Sequence, residues 1–406
     1  MARITYRKLD DHSTFFWVLL VINALVIAVG LGAAYYMEHH GHHVTGMNNA
    51  VVWGTPHVFA VFLIVAASGA LNVASISSVF GKAEYKPFAR LSGLLAITLL
   101  VGGLAVLVLD LGRPDRLTVA MTTYNFKSIF AWNIYLYTGF IVIVAVYLFT
   151  MMDRELAKRP AVTQSVGWFA FGWRLALTTG TGSIFGFLAA REAYDSAIMA
   201  PLFIAASFLY GLAFMVIVLV VVSREAGEQL LDEDMVGRFS GLMMLFSLAV
   251  LYFTAIKHLT NLYASEHHGI EAFILRDGGV YTALFWGGHV VVGNLLPLAI
   301  LLFARRAASP ISPRHALTLA SVLAAAGGFA FIYVTIIGGQ AYPLDLFPGM
   351  EVSSPFLDGQ VSRYAPTLPE LLLGLAGVSI AMLATGLALK LLPFLPKGSQ
   401  GATAPA

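Results

Sequence analysis

Long apolar runs recur along almost the whole chain, and each is closed by a short cluster of charged, proline or glycine residues. A helix needs about 20 apolar residues to cross roughly 30 Å of hydrocarbon. Continuous runs such as FLYGLAFMVIVLVVVS favour helices over barrel strands, which would show short alternating segments. The pattern predicts an all-α integral membrane protein with ten transmembrane helices, at residues 14–36, 57–80, 88–111, 128–152, 166–190, 197–223, 239–263, 280–304, 315–339 and 367–392.

The composition agrees with a membrane location for the whole chain, residues 1–406, as a single domain. Hydrophobic residues make up 58% and charged residues 11% of the sequence, so the apolar side chains cannot all be hidden in one soluble core. The run at 14–36 is longer than the core of a signal peptide and lacks a small-residue cleavage site. We expect it to be a retained membrane anchor.

The lysines and arginines are distributed unevenly between the two sides of the predicted helices. Of the 24 basic residues, sixteen fall on one side and seven on the other, and Arg174 lies inside a span. Because cytoplasmic flanks hold the excess of basic residues, both termini are predicted to be cytoplasmic. The net charge of +2 reflects this bias, and no basic stripe of the kind that binds nucleic acid is present.

The sequence has no cysteine, which excludes disulfides, thiolate-held iron–sulfur clusters and cysteine-type zinc sites within it. Any iron–sulfur electron carrier must therefore belong to another protein. The loop HHGHH contains His39, His40, His42 and His43, and clustered histidines can bind metals. No carboxylate or cysteine lies at a fitting spacing, so we interpret this segment as a solvated loop and predict no metal site.

The segment VLVLDLGRPDRL, residues 106–117, places Asp110 where an apolar run ends. Desolvation and the negative end of the helix dipole both disfavour a carboxylate there. Arg113 lies one turn further on and is expected to pair with Asp110, while Gly112 and Pro114 end the helix. The segment is either a capping ion pair or a protonatable site, and ionisable groups near the membrane are often functional.

Further polar and aromatic residues gather at the same predicted outer level. They are His57, Lys127, Ser128, Trp132, Tyr135, Arg191, Glu192, Asp195, Lys257 and His258. Any one of them alone is typical of an interfacial anchor. Histidine, aspartate and arginine at the ends of several spans could instead converge on one apolar pocket.

Two ionisable residues are predicted to lie deeper in the membrane. His289 lies about ten residues into the eighth span, roughly 15 Å from its outer end, and Arg174 lies within the fifth. With Lys257 and His258 they could relay protons, or they could serve as polar contacts between helices.

The segment DLGRP, followed by a helix that begins N-x-x-S, resembles the NrfD/PsrC family of membrane subunits of quinone-linked redox complexes. The FW pair in the eighth span, the proline in LLPLAILL and the C-terminal YAPTLPELLLGLAGVSIAMLATGLALKLLPFLP are similar to its ten-helix branch, which includes the membrane subunit of a quinone-linked hydrogenase. The opening MARITYRKLDDHSTFFW and the loop YMEHHGHHVTGM most resemble the DsrP-type subunit of the Dsr sulfur-metabolism complex.

The resemblance implies two four-helix bundles, at 57–190 and 197–339, with an extra helix at each end of the chain, at 14–36 and 367–392. A periplasmic loop would occupy 340–366 and a flexible tail 393–406. It implies no intrinsic haem or iron–sulfur cluster. In the family, quinone binds near the periplasmic side, close to a ferredoxin-like iron–sulfur subunit, and contacts a histidine that corresponds to His57. Gly54 and Gly288 depart from the family pattern, since some relatives have Asn and an acidic residue there.

On this basis the protein is expected to be a subunit of a multi-subunit redox complex in the bacterial cytoplasmic membrane. It would exchange electrons between menaquinone or ubiquinone and a periplasmic iron–sulfur subunit, in dissimilatory sulfur metabolism. His57 would hydrogen-bond a quinone oxygen and Asp110 would exchange its proton. The predicted quinone-binding residues are His57, Asp110, Arg113, Ser128, Trp132 and Tyr135.

Two other classes of protein compete with this interpretation. A dihaem b-type cytochrome would need axial histidines at equal depth on facing helices, and His57 with His258 could just supply one such pair. A secondary transporter would also have many helices and buried polar groups. Its usual mark, paired broken helices in two repeated halves, is not evident in this sequence.

The lack of cysteine and of a second histidine pair gives the first prediction. The purified protein, free of partner subunits, is expected to show no absorption from haem or iron–sulfur clusters between 350 and 700 nm, roughly the range in which such centres absorb. An absorption spectrum with metal analysis checks this. Stoichiometric iron, or a Soret band, would contradict it and favour the cytochrome.

Overall fold

The computed structural model describes residues 4–10, 13–306, 309–344 and 359–397. Its α-helices are α1 (Thr14–His40), α2 (Thr55–Ala70), α3 (Asn72–Ser78), α4 (Ala89–Leu109), α5 (Leu117–Thr122), α6 (Ile129–Met152), α7 (Pro160–Gly186), α8 (Met199–Glu225), α9 (Glu233–Tyr263), α10 (His268–Ala272), α11 (Val280–Ala283), α12 (Leu296–Ala304), α13 (Pro313–Tyr333), α14 (Gly339–Ala341) and α15 (Leu368–Leu391). Two short strands are β1 (Tyr6–Arg7) and β2 (Leu395–Pro396).

The second half of the protein also contains three π-helical segments, Phe273–Asp277, Leu284–Leu295 and Val334–Gly338. The last two join neighbouring α-helices into longer rods, because α11 leads into Leu284–Leu295 and then α12, and α13 leads into Val334–Gly338 and then α14.

Within the described residues, nine helical stretches are long and apolar enough to cross a membrane. This confirms the prediction of an all-α polytopic membrane protein. The fifth predicted span coincides with α7, which has 27 residues, as many as α1, but is not among the nine. The helix contains Arg174 and several threonines, which lower its hydropathy. The tenth span therefore stays a prediction.

The long helices pack into two groups of four. In the first, α2 lies against α4 and α7, and α6 completes the ring through contacts with both. In the second, α8 lies against α9 and α13, and the rod from α11 to α12 packs between those two helices. The helices α1 and α15, from opposite ends of the sequence, pack on each other, and α15 also lies against α2 and α4.

The two groups meet where α2 crosses α8, and glycine makes this crossing close. A Cβ atom added to Gly211 would lie 2.0 Å from the backbone carbon of Gly69 and 2.1 Å from the nitrogen of Ala70. A side chain at either glycine would therefore force the helices apart. Small residues at such crossings let helix backbones approach in membranes, where packing drives association.

The first and last described segments of the protein meet at one end of the helical body. Strands β1 and β2 pair in antiparallel fashion, with Tyr6 opposite Pro396 and Arg7 opposite Leu395. The Tyr6 hydroxyl also donates to the carbonyl of Lys86, 3.0 Å away, in the α3–α4 connection. The tail predicted to be flexible from residue 393 therefore starts with an ordered strand, in which Leu395 is fully buried. Residues 398–406 of that tail lie outside the described residues.

The close crossing of α2 and α8 generates the second prediction. Gly211→Ala is expected to destabilise the protein by about 1–3 kcal/mol, since overpacking a tight contact costs about that much. The measurement is the thermal unfolding midpoint in detergent. Gly32→Ala is the matched control, because a Cβ at this helical glycine meets no atom within 4 Å. Equal unfolding midpoints for the two variants would show that α2 and α8 can move apart at the crossing without loss of stability.

Candidate functional site

His57 and Asp110 lie together at one end of the first helix group. His57 is in the first turn of α2, and Asp110 follows the last residue of α4. Because α2 and α4 pack side by side and run in opposite directions, these positions meet. The Nδ1 atom of His57 lies 2.7 Å from Oδ2 of Asp110. The Asp110 side chain is fully buried, whereas that of His57 is 17% exposed.

Arg113 does not pair with Asp110, so this part of the sequence interpretation is wrong. Its Nε and Nη2 atoms donate to the two carboxylate oxygens of Asp115, at 3.0 and 2.9 Å. The reason is local, because α4 ends before Asp110 and Pro114 starts a tight turn that brings residue 115 beside the guanidinium. Hydrogen bonds from Arg113 lower the pKa of the Asp115 carboxyl. The pair is exposed to solvent and contributes little to stability.

The carboxylate of Asp110 keeps unused hydrogen-bonding capacity. Within the described residues, neither oxygen of this buried carboxylate has a partner in hydrogen-bond geometry, although His57 Nδ1 lies 2.7 Å from Oδ2. A carboxylate can accept about four hydrogen bonds, and leaving a buried acceptor unpaired is costly. The contact of His57 Nδ1 with Asp110 leaves Nε2 as the ring nitrogen for an external partner. The pair is thus arranged to meet a further polar group.

Aromatic rings form an apolar wall beside the pair. The ring of Trp53 is stacked on that of His57, with centroids 6.2 Å apart and an interplanar angle of 24°. Trp53 also contacts Phe130 and Phe185, at centroid distances of 5.7 and 6.0 Å. Sequence reasoning missed Trp53 and Phe130, although Trp53 lies four residues before the histidine, in the segment that leads into α2.

Gln340 holds the segment that carries Trp53. Its Oε1 atom accepts hydrogen bonds from the backbone N–H groups of Val52 and Trp53, each at 3.0 Å. Its Nε2 atom donates to the carbonyls of Trp53 and Ile336, at 3.0 and 2.9 Å. Gln340 is 1% exposed, so these bonds are shielded from water. A side chain of α14, in the second helix group, thus fixes the entry to the site.

Arg191 ties the same two segments together. Its Nη1 atom donates to the carbonyl of Gln340 at 3.0 Å, and its Nη2 atom donates to the carbonyl of Ala50 at 2.9 Å. The sequence analysis grouped Arg191 with the polar residues of the outer level. The structure shows that its guanidinium braces the backbone behind Trp53.

Glu370, in the first turn of α15, also holds the start of α2 in place. It is fully buried and accepts hydrogen bonds from the N–H of Gly46, at 2.9 Å, and from the hydroxyl of Tyr364, at 2.6 Å. The Tyr364 hydroxyl accepts the N–H of Thr55, the first residue of α2, at 2.7 Å. Burial, followed by the bond to Glu370, raises the pKa of Tyr364 and keeps the phenol protonated.

Glu370 was missed in the sequence, but a signal was present there. Thr367 and Glu370 form a capping box at the start of α15, the pattern T-x-x-E before an apolar run. Gln340 had no comparable signal, because a lone amide at the end of an apolar run is compatible with simple solvent exposure.

The other predicted pocket residues stabilise the connection between α4 and α6. Ser128 caps α6 by accepting the N–H of Ala131. The indole N–H of Trp132 donates to the carbonyl of Phe126 at 2.8 Å, and the hydroxyl of Tyr135 donates to the carbonyl of Met121. The polar atoms of these three side chains therefore form hydrogen bonds with backbone groups of α5, of the connection after it and of the first turn of α6.

A second polar cluster lies in the other helix group. Nδ1 of His258 is 2.6 Å from the carboxylate of Glu271, which also accepts from the side-chain amide of Asn261 at 2.9 Å. Glu271 belongs to α10 and is 2% exposed. Burial alone would raise the pKa of Glu271, but the bonds from His258 and Asn261 and the charge of Lys257 lower it overall. The sequence analysis named Lys257 and His258 and missed this carboxylate.

His289 extends the second cluster inward. Its Nε2 atom lies 3.0 Å from the hydroxyl of Thr254, and the residue is fully buried. Thr254 also lines a cavity of about 30 Å³ together with Lys257, His258 and Glu271. That space suits a single water molecule. Three of the four predicted relay residues, Lys257, His258 and His289, are therefore neighbours in the structure.

Arg174 is not part of this cluster. It lies on α7, its guanidinium carbon is 4.9 Å from the ring centroids of both Phe171 and Phe208, and it donates to the carbonyl of Ser68 at 3.4 Å. It therefore belongs to the contact of α7 with α2 and α8.

Comparison with known proteins agrees with this architecture. Residues 43–343 match the family model described as "Polysulphide reductase, NrfD". The protein is 28% identical to the Hdr-like menaquinol oxidoreductase integral membrane subunit of Archaeoglobus fulgidus, over 97% of both sequences. It is 28% identical to a putative dimethyl sulfoxide reductase membrane subunit of Halobacterium salinarum, over 92% of this sequence and 90% of the relative. It is 23% identical to one chain of the polysulfide reductase of Wolinella succinogenes, over 72% of this sequence and 96% of the relative.

The bonds of Gln340 generate the third prediction. Gln340→Ala leaves the N–H groups of Val52 and Trp53 without the acceptor that Gln340 provides. The free energy needed to open segment 48–56 is therefore expected to fall by about 1–3 kcal/mol. Hydrogen–deuterium exchange of that segment, followed by mass spectrometry, measures this. Gln164→Ala on the exposed face of α7 is the control. Unchanged exchange in the Gln340 variant would mean that Arg191 and Glu370 suffice to hold the segment.

Proposed function

This protein belongs to the NrfD family of polysulphide reductase membrane subunits, and we propose that it is the quinone-interacting subunit of a multi-subunit redox complex. It is a multi-pass protein of the cytoplasmic membrane. The observation that carries the proposal is the 2.7 Å contact of His57 with the buried carboxyl group of Asp110 beside the ring of Trp53. A quinone is a flat apolar ring with two polar oxygens, and this site offers an apolar wall and a titratable pair.

The residues of the pair have complementary roles in proton transfer. In the quinol-oxidising direction, the quinol gives up two protons and two electrons. Nε2 of His57 accepts one hydroxyl proton, while Asp110 stabilises the positive charge on the imidazole ring; the second proton leaves to water, and the electrons pass to the iron–sulfur partner proposed below. In the opposite direction, the protonated imidazole returns a proton to a quinone oxygen. The quinone, menaquinone or ubiquinone, supplies the two-electron chemistry as the substrate. The unpaired Oδ1 of Asp110 supports the fit, since it can accept a further hydrogen bond.

The remaining predicted quinone residues line the approach in this proposal. The side chains of Trp132 and Tyr135 are 39% and 36% exposed, on the outer surface of α6. Together with Ser128 they hold the α5 segment, which lies next to the turn that carries Arg113. A quinone that enters from the lipid would pass this segment before it reaches His57.

We further propose that the second cluster moves protons. Lys257, His258 and Glu271 surround a water-sized cavity, and Thr254 links that cavity to His289. Ionisable residues that face such a cavity inside a membrane protein are typical of proton relays. Arg174 was predicted to join them, but its place between two phenylalanine rings supports a packing role.

The partner we propose is a periplasmic, ferredoxin-like iron–sulfur subunit. It would bind on the outer face, near the loop at 340–366, of which residues 345–358 lie outside the described part of the protein. Ten spans with both termini in the cytoplasm complete the proposed topology. The similarity to a polysulfide reductase chain supports a role in sulfur metabolism.

A dihaem cytochrome gains no support from the packing. His57 lies on α2 in the first helix group and His258 lies on α9 in the second. A haem held by both would have to bridge the two groups, and each histidine instead faces a carboxyl group near its own helix, Asp110 for His57 and Glu271 for His258.

The ion pair generates the fourth prediction. Asp110→Asn keeps the side-chain volume but removes the charge that balances the imidazolium. Quinol-linked electron transfer by the assembled complex is therefore expected to fall by about 100-fold or more, the scale of lost acid–base catalysis. His57→Ala should lose a similar factor and should also weaken quinone binding.

Asp115→Asn is the matched control, because it removes an exposed carboxylate, paired with Arg113, from the connection that follows Asp110. Its rate is expected to stay near that of the natural protein. Co-purification of the iron–sulfur subunit reports assembly separately. Normal rates in the Asp110 and His57 variants, at normal assembly, would move the quinone site elsewhere.

A further inference from the structure

A separate cavity opens at the end of the protein where β1 and β2 pair. It has a volume of about 330 Å³ and lies between the end of α8, the connection to α9 and the start of α13. Its lining includes Val220, Arg224, Glu228, Gln229, Leu231 and Arg314. None of these residues belongs to the proposed quinone site or to the second cluster.

The acidic groups around this cavity are already satisfied. Glu228 forms an ion pair with Arg7, which is part of β1. Its neighbour Glu225 is 4% exposed and accepts a hydrogen bond from the hydroxyl of Ser13. Neither carboxylate is therefore left to neutralise the arginines that line the cavity.

The two lining arginines keep their charge available. Within the described residues, Arg224 has no carboxylate partner, and its guanidinium carbon lies 5.0 Å above the ring of Phe15. Arg314 donates to the backbone carbonyl of Leu231, and the part of the protein that the structure describes leaves most of its other donors free. Two guanidinium groups in one concave site favour an anion, since guanidinium binds phosphate oxygens well.

The residues beside the cavity are of the kind found at the depth of the lipid headgroups. Phe15 and Trp17 lie in the first turn of α1, and these residues are 45% and 47% exposed. Exposed aromatic side chains at a helix end are typical of the membrane–water interface. Because Arg224 packs on Phe15, the positive charge lies at the same level. Basic pockets between helix ends at this depth bind the headgroups of anionic lipids.

We propose that this cavity binds the phosphodiester headgroup of an anionic phospholipid. The guanidinium groups of Arg224 and Arg314 hold the phosphate oxygens. The side-chain amide of Gln229, which lines the same cavity, can hydrogen-bond the glycerol hydroxyls of the headgroup. Val220 and Leu231 provide an apolar edge from which the acyl tails continue into the membrane. The lipid would tie α1, α8 and α13 together at the proposed cytoplasmic surface. This site is independent of the proposed quinone chemistry.

The test is lipid binding by the full-length protein, purified in detergent and stripped of lipid. Native mass spectrometry is used to titrate it with phosphatidylglycerol, with zwitterionic phosphatidylcholine, and with inorganic phosphate in competition. We expect one tightly retained phosphatidylglycerol, weak retention of phosphatidylcholine, and no displacement by millimolar phosphate. Displacement by free phosphate, or equal retention of the two lipids, would overturn the proposal.

Variants localise the site. Arg224→Gln removes a guanidinium that makes no hydrogen bond within the described residues, so it should fold normally and bind phosphatidylglycerol about fivefold more weakly. Arg224→Lys keeps the charge and should recover most of the affinity. The double change with Arg314→Gln should abolish selective retention. Arg305→Gln, which removes an exposed arginine at the end of α12, is the control and should bind normally.

Two results would contradict the location of the site. Normal affinity in the double variant would show that the lipid binds elsewhere. An equal loss in the Arg305 variant would show that only the overall basic charge of this face matters. If the double variant does not fold, the comparison of Arg224→Gln with Arg224→Lys decides the question alone.

Discussion

The contact between a buried carboxylate and an imidazole is the interaction on which the rest of this structure depends. Asp110 lies at the end of a membrane helix, where water is scarce and the helix dipole repels negative charge. It is tolerated there because His57 faces it at 2.7 Å. Replacing either partner leaves the other unpaired in an apolar setting, which costs more than the pair itself contributes. The fold must therefore hold the first turn of α2 firmly against the end of α4.

The restraint on α2 comes from distant parts of the sequence. Gln340 binds the backbone at Val52 and Trp53, and Glu370 reaches Thr55 through the hydroxyl of Tyr364. Gln340 lies at the end of the second helix group, and Glu370 lies in the first turn of α15, the last helix. The site is therefore a product of the whole protein, and a fragment containing only the first four-helix group would lack the contacts that position His57.

The same long-range contacts explain what the sequence could predict. The apolar runs set the helices, and the positions of His57 and Asp110 at helix ends were enough to place both in one candidate site. The partner of Arg113 was predicted wrongly, because one turn of helix spacing suggested Asp110 while the turn at Pro114 brings Asp115 closer. Contacts across hundreds of residues, such as those of Gln340, have no local periodicity and could not be read from one sequence.

The second cluster depends on helix geometry that an ordinary helical pattern does not reveal. The segment Leu284–Leu295 is π-helical, and the side-chain amide of Asn294 donates to the carbonyl of His289, five residues earlier, at 2.9 Å. A wider turn frees backbone carbonyls, and the asparagine satisfies one of them inside the membrane. It also changes the direction of the side chains relative to a regular α-helix, so that His289 reaches Thr254 on α9. Since π-helical turns are frequent at functional sites, this departure from regular geometry supports a chemical role for His289 more strongly than its burial alone.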